Sequence, residues 1–116
     1  MEVMEDRGSP VEKATEFIET IFPGELCGKV VLDNRMAMIG IVRSIKVYIP
    51  SFRVGLIIVG LDSEKDVEKE IPIDVKDIEK IGDNVLLRIQ LPKFKVLSIE
   101  DVLSLRNRLS RSFTSS

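Results

Sequence analysis

The sequence predicts a mainly β protein, a small barrel of about five to six strands flanked by an N-terminal and a C-terminal helix. Valine and isoleucine dominate the apolar residues, whereas aromatic residues make up 5% of the chain, and β-branched side chains pack well on a pleated sheet. Apolar residues recur with a period of two through the middle of the chain, and at helical spacing near both ends. A chain of 116 residues has room for one hydrophobic core.

Charge and apolar spacing divide the chain into three parts. Residues 1–25 form an acidic segment with an amphipathic helix, residues 26–92 the barrel, and residues 93–116 a helix with a basic, serine-rich tail. The first part holds seven acidic and two basic residues, and the last holds five basic and two acidic residues. Opposite charges allow the two ends to attract each other or a partner. The balanced centre lacks the basic face typical of a nucleic-acid platform, which argues against nucleic-acid binding.

The first helix is predicted from a capping pattern at Ser9. This residue can cap the helix, Pro10 suits the first helical position, and Glu12 can complete a capping box. Six apolar residues follow at helical spacing and form one stripe: Val11, Ala14, Phe17, Ile18, Ile21 and Phe22. Pro23-Gly24 ends the helix. An amphipathic helix of about three turns must cover an apolar surface.

Two long strands are predicted in the middle of the chain. A short strand, 28–32, and a polar turn precede the first of them, which alternates over residues 39–49. Arg43 falls on its apolar face and Val42 on its polar face, and a bulge or a turn in the strand there would reconcile the pattern. After the turn at Pro50-Ser51, residues 53–61 form a nearly unbroken apolar run.

The second half of the barrel has weaker signals. Residues 62–70 alternate in charge and predict a solvated hairpin tip, and Pro72 indicates an edge strand. Three apolar residues at helical spacing predict one short helical turn: Val75, Ile78 and Ile81. Residues 84–91 form the last predicted strand.

The strand over 53–61 is apolar on both faces, because Ile57 and Val59 lie opposite to Leu56 and Ile58. A barrel strand is expected to be apolar inside and polar outside, so its outer face needs cover. The N-terminal helix and a second copy of the chain are the two candidates. We expect a homodimer contact on this strand and predict a protein-interaction site here. Its residues are Val54, Leu56, Ile57, Ile58 and Val59.

The last helix begins at Ser98, a good cap that is followed by two acids in the first turn. Its apolar stripe contains Val102, Leu105 and Leu109, with Ile99 and Leu103 beside it. Two functional interpretations of this helix stay open. Its basic residues could touch phosphate; these are Arg106, Arg108 and Arg111. The same arginines with Leu105, Leu109 and Phe113 could form a cationic amphipathic segment that contacts a membrane.

Residues that catalysis and metal binding commonly use are scarce. The chain has no histidine and one cysteine, Cys27, so it lacks the commonest general base and the usual zinc ligands. Cys27 begins an apolar run, which predicts a buried core residue. Two carboxylate pairs, Asp74 with Asp77 and Glu68 with Glu70, lie in charged segments where nothing raises their pKa. We therefore predict a protein that is not an enzyme and holds no metal or cofactor.

The sequence also predicts a cytoplasmic location. No run of apolar residues approaches the roughly 20 needed to span a bilayer. The acidic N-terminus, Met1 to Asp6, has the wrong sign for a secretory signal.

Four segments within residues 26–92 resemble motifs of the PRC-barrel family, named after a cytoplasmic domain of a photosynthetic reaction centre subunit. In chain order they are Leu26–Val31 (L-x-G-K-x-V), Ile39–Val42 (I-G-x-V), Ile71-Pro72 and Ile78–Leu87 (I-x-x-I-G-D-x-V-I-L). The motif residues have structural roles: Gly28 and Gly40 would let strands approach closely, Pro72 lies in the third segment, and Gly82-Asp83 would reverse the chain. One position departs from the family, because Met36 stands where a glycine is usual. Met36 and Met38 could lie exposed as adaptable protein contacts or fill the core.

This resemblance implies a non-enzymatic protein-interaction adaptor. Small stand-alone PRC-barrel proteins of archaea are similar, and some act in cell division based on the tubulin-like protein FtsZ with SepF as membrane anchor. The implied partners are a second copy of the chain, a SepF-type anchor or other PRC-barrel division proteins, with recruitment to the division site. The alternative is a ribosome or RNA maturation factor related to the barrel domain of RimM. That protein has a second β-domain, for which this chain has no room.

Overall fold

A computed structural model describes residues 13–17 and 26–114 of the chain. The structure is mainly β, with one mixed sheet and one C-terminal helix. Its strands are β1 (Lys13–Phe17), β2 (Val30–Leu32), β3 (Met38–Ile49), β4 (Arg53–Leu61), β5 (Glu68–Asp74), β6 (Ile78–Ile81) and β7 (Val85–Leu87). A 3₁₀ turn (Val75–Asp77) joins β5 to β6, and the helix α1 spans Ile99–Thr114.

Six strands follow one another across the sheet in the order β5-β4-β3-β2-β7-β6, and β1 pairs with β3. The pair β2–β7 is parallel and the other pairs are antiparallel. Among the described residues β5 and β6, the two ends of this order, do not pair, so the predicted barrel is not closed. The strands β6 and β7 are four and three residues long, and the chain then runs past the end of β4 instead of along β5, where Phe94 bridges Asp62.

The predicted N-terminal helix is wrong over the part that the structure describes. Lys13–Phe17 form β1, which pairs antiparallel with Ile45–Ile49 of β3. The strand β2 pairs only with the first part of β3, up to Ile41, so the rest of that edge has unpaired backbone groups that favour a strand partner. The remainder of the predicted helix lies outside the described residues.

The long strand and its bulge are confirmed. The register between β3 and β4 shifts between Val42 and Ser44, so Arg43 is the extra residue that the alternation predicted. Its guanidinium pairs with the Glu70 carboxylate of β5 at 3.3 Å. The bulge thus lets a cation leave the apolar pattern without entering the core.

Two apolar clusters lie on opposite faces of the curved sheet. The concave face carries the larger one, the concave core: Val31, Ile39, Val42, Leu56, Ile58, Ile73, Ile78, Val85, Leu87 and Phe94. On the other face α1 packs against β3 and β4 in a second cluster: Ile41, Val59, Leu97, Val102, Leu105 and Leu109. The stripe predicted for α1 is therefore the buried face of the helix, whereas Ile99 and Leu103 beside it are exposed.

The start of α1 is held by the cap that its sequence predicts. The Ser98 hydroxyl accepts a hydrogen bond from the Asp101 N–H at 3.1 Å, and the Asp101 carboxylate accepts one from the Ser98 N–H at 3.0 Å. Hydrogen bonding of the backbone and side chain of Ser98 to the carboxyl group holds the pKa of Asp101 below its usual value. Leu97 and Val102 on either side are both buried in the cluster under the helix, as in a hydrophobic staple.

Two predictions in the second half of the chain need correction. Val75, Ile78 and Ile81 do not share a helical turn, since the 3₁₀ turn ends at Asp77 and Ile78 begins β6. Strand pairing of Ile78 with Leu87 overrides the helical spacing. The charged segment 62–70 is a turn only up to residue 67, because β5 begins at Glu68. The edge position of Pro72 is confirmed, as β5 ends the sheet.

The motif glycines have different physical roles. Close approach is confirmed at Gly40, where a Cβ atom would lie 2.6 Å from the Val59 carbonyl oxygen. Gly28 has open space around it and instead adopts a φ of 96°, a left-handed conformation that favours glycine. Gly82 and Asp83 lie in the reversal between β6 and β7, as predicted. Met36 also has a positive φ, of 67°.

Candidate interaction surface

The five residues predicted as an interaction site separate into buried and exposed positions. Leu56 and Ile58 belong to the concave core, and all four residues Leu56–Val59 are 5% exposed or less. Val59 is covered by α1, which was neither of the two candidates for this cover. A homodimer contact through these four side chains stays a prediction, but they do not lie on the surface of the single chain.

Val54 is 38% exposed and belongs to an apolar surface at the far end of the β3–β4 hairpin. We name this the Phe52 surface. It comprises Ile49, Phe52, Val54 and Val75, which are 42%, 71%, 38% and 50% exposed. Sequence reasoning selects only Val54 of these four. For Phe52 the available signal is an aromatic residue directly after Pro50-Ser51, where a turn commonly carries polar residues.

Strand register brings these residues together. Ile45 pairs with Leu56 and Val47 with Val54, and residues two apart along a strand share a face. Val47, Ile49 and Val54 therefore continue the concave face beyond the part that the core fills. Asp74 pairs with Gly55, so the 3₁₀ turn beginning at Val75 lies beside Val54.

The opposite face of this hairpin is polar. The Arg53 guanidinium lies 4.9 Å from the centroid of the Tyr48 ring and 3.2 Å from an Asp74 carboxylate oxygen. Tyr48 and Arg53 are cross-strand partners, so the cation–π contact ties the two strands near the turn. The carboxylate of Asp74 also accepts the Lys76 N–H at 3.0 Å. The far end of the hairpin is thus amphipathic, with an apolar face that stays exposed.

Phe52 has an unusual backbone conformation at the tip. Its φ is 59°, in the left-handed region, which costs roughly 1 kcal/mol for a residue with a side chain. Glycine or asparagine would adopt this conformation at lower cost. The exposed phenyl ring gains little from burial to offset the strain. Contacts among the residues that the structure describes therefore do not explain a phenylalanine at this position.

The C-terminal arginines contact the chain itself. Arg106 donates from Nε to the Gly28 carbonyl oxygen at 3.0 Å, and Arg108 pairs with the Glu68 carboxylate. Both contacts hold α1 against the sheet. The apolar residues suggested for membrane contact, Leu105 and Leu109, are buried against the sheet. The side chains of Arg111 and Phe113 lie outside the described residues.

The buried carboxylate of Asp33 organises a turn. Its side chain is fully buried and accepts the N–H groups of Arg35 at 2.8 Å and Ala37 at 3.1 Å. The Arg35 guanidinium lies 2.9 Å from its other oxygen. Burial raises the pKa of Asp33, but these hydrogen bonds outweigh it and hold the pKa below its usual value. The carboxylate therefore serves the turn that leads into β3.

Three of the four carboxylates considered for catalysis are in ion pairs. Asp74 contacts Arg53, Glu68 contacts Arg108, and Glu70 contacts Arg43. Over residues 26–110, for which side chains are described, no three potential ligands cluster as they would around a metal ion. Cys27 is buried, as predicted. None of the helices that the structure describes combines the length and the apolar character needed to cross a bilayer.

Comparison of the chain with protein-family models, curated proteins and solved structures found no match. The resemblance to PRC-barrel proteins therefore rests on the motif residues alone.

Proposed function

We propose that the protein is a non-enzymatic adaptor that binds another protein through the Phe52 surface. The observation that carries the proposal is Phe52 itself, a 71% exposed aromatic ring on a left-handed backbone. Backbone strain without a folding advantage points to selection for another property. Aromatic side chains, phenylalanine among them, are enriched at protein interfaces relative to the rest of the surface.

The surroundings of the ring support a protein partner. Ile49, Val54 and Val75 are exposed apolar residues like Phe52, and the contact of Arg53 with the Tyr48 ring ties the two strands of the same hairpin. An apolar centre beside polar groups is the usual composition of a protein interface. A rigid strand scaffold also lowers the entropic cost of binding.

The cellular setting in our proposal is archaeal cell division based on FtsZ and SepF. This part rests on the PRC-barrel resemblance, and the partner would be a SepF-type anchor or another PRC-barrel division protein. A second copy of the chain would use the same apolar surface to form a homodimer. The alternative of a ribosome maturation factor gains no support from the arginines, since Arg106 and Arg108 contact the chain itself.

The test replaces Phe52 by asparagine, which removes the ring but tolerates the left-handed backbone. Val67→Asn is the matched control, because Val67 is also apolar, 54% exposed and in a connection between two strands. Tagged wild type and both variants are purified from the source cells after nuclease treatment, and the captured proteins are identified by mass spectrometry. We expect Phe52→Asn to lose the partner, with affinity reduced roughly 30-fold or more, while Val67→Asn retains it.

Stability separates loss of binding from loss of folding. The thermal midpoint of Phe52→Asn is expected to equal or exceed that of wild type, since the strain at residue 52 is reduced. Sedimentation of the purified chain shows whether a second copy occupies the surface. Undiminished capture by Phe52→Asn would reject the Phe52 surface as the site, and specific capture of ribosomal proteins would favour the maturation factor.

A further inference from the structure

We infer a second, independent binding site, a cavity at the open edge of the sheet that takes a small amphipathic carboxylate with a medium-length aliphatic tail. The cavity has a volume of about 290 Å³. It lies between the edge strand β5 and the segment that follows β7, at the opposite end of β4 from the Phe52 surface. Its lining residues are Lys69, Ile71, Leu91, Pro92, Lys93 and Phe94.

The cavity exists because the sheet does not close. Lys69, Ile71 and Ile73 are spaced two residues apart along β5, and Ile73 belongs to the concave core. All three therefore share the concave face of β5. The opposite wall is the segment 91–94, which pairs with the end of β4 instead of with β5. Ser63 donates its N–H to the Lys93 carbonyl oxygen at 2.9 Å, and Lys95 donates to the Leu61 carbonyl oxygen at 2.8 Å. These bonds hold the 91–94 wall and pairing with β4 holds the β5 wall, so both walls are in place before a ligand binds.

The walls select an apolar group of limited size. The side chains of Ile71, Leu91, Pro92 and Phe94 supply most of the lining. The volume is at the lower end of the range for small-molecule sites. At about 30 Å³ per water-sized group it corresponds to roughly ten non-hydrogen atoms. An aliphatic tail fits against these walls without burying a polar group that would need a hydrogen-bond partner.

The charge at the mouth selects an anion. Lys69 and Lys93 both border the cavity, and Asp62 neutralises Lys69 at 3.4 Å. The nearby Lys95 is paired with Asp66 at 2.7 Å. Within residues 26–110, no ion pair engages the ammonium group of Lys93. A carboxylate at the mouth would pair with Lys93 while its tail contacts Ile71 and Phe94.

Octanoate is the probe, because its tail and carboxylate together contain about ten non-hydrogen atoms. Its binding is followed by amide chemical shifts of the full, ¹⁵N-labelled chain. We expect saturable shifts at residues 69–71 and 91–94 with a dissociation constant on the order of a millimolar. Acetate lacks the tail and 1-octanol lacks the charge, so both are expected to bind more weakly.

Two lysine variants make the charge assignment testable. Lys93→Gln is expected to weaken octanoate binding about threefold, while Lys80→Gln, an exposed lysine on β6, leaves it unchanged. Phe52→Asn is also expected to leave it unchanged, so this inference and the proposed adaptor function fail separately. Equal binding of octanol, shifts centred on the Phe52 surface, or no saturation would each overturn the inference.

Discussion

A Cβ atom built at Gly40 would lie 2.6 Å from the carbonyl oxygen of Val59 on the neighbouring strand. It would also lie 2.8 Å from a methyl carbon of Ile58. The obstacle is mainly backbone, which cannot rotate away as a flexible side chain would. Close approach of β3 and β4 at this point therefore requires glycine. This approach sets the distance between β3 and β4, the strand that is buried on both faces.

We expect Gly40→Ala to reduce the free energy of unfolding by about 3 kcal/mol, because the added methyl group forces the two strands apart. Gly82→Ala is the matched control, since the atom nearest to its built Cβ is the end of the Lys80 side chain, at 3.9 Å. Urea denaturation of both variants measures the difference. Equal losses in the two variants would show that the close approach at Gly40 does not constrain the fold.

Alanine substitutions of single leucines in α1 are expected to distinguish the buried face of the helix from its exposed face. Leu105 is 4% exposed, and Leu103, two residues before it, is 55% exposed. Leu105→Ala should cost about 3 kcal/mol through lost burial and the cavity left behind, while Leu103→Ala changes stability by less than about 0.5 kcal/mol. Thermal and urea unfolding compare the pair. A larger loss for Leu103→Ala would mean that α1 presents the other face to the sheet.

Asp33 should make stability depend on pH. The folded state holds the pKa of this carboxyl below its usual value, so its contribution is fully present above the unfolded pKa of about 4. The contribution is then lost as the pH falls through the lower, folded pKa. Asp33→Asn removes the charge and should cost about 2 kcal/mol at neutral pH.

Urea denaturation at neutral pH and at about pH 3 tests this expectation. The difference between wild type and Asp33→Asn should narrow in acid, because protonation deprives the wild type of the same charge. Asp83→Asn, at an exposed acid in a turn, serves as the control. A difference between wild type and Asp33→Asn that stays constant with pH would show that the charge of Asp33 does not stabilise the fold.

Met36 offers a test of backbone strain. Its φ of 67° suits glycine, and its side chain is 62% exposed, which favours the surface reading of this methionine over core filling. The free energy of unfolding of Met36→Gly should lie within about 1 kcal/mol of the wild-type value or above it. Relief of strain in the folded state offsets the added freedom of the unfolded chain. Met36→Val should lose about 1–2 kcal/mol, since a β-branched residue fits this conformation poorly. A Met36→Val variant with a higher thermal midpoint than wild type would contradict backbone strain at this position.

Several elements could be predicted because their signals are local. The bulge at Arg43, the cap at Ser98 and the stripe of α1 each depend on residues within a few positions of one another. The Phe52 surface depends on the pairing of three chain segments, and its strained φ has no sequence signature beyond an aromatic residue in a turn. The cavity beside Lys93 likewise depends on a sheet edge that no local pattern describes.

The sequence by itself determined which segments alternate, where the last helix begins, and that β4 is apolar on both faces. Only the tertiary structure decided which element covers β4, that the sheet stays open, and that Lys13–Phe17 form a strand instead of a helix. An apolar pattern states which face of a segment avoids water, but it does not state which distant segment will cover that face. Backbone pairing at the free edge of β3 and the docking of α1 on Val59 are contacts between residues far apart in the chain, and their energies outweigh local preferences.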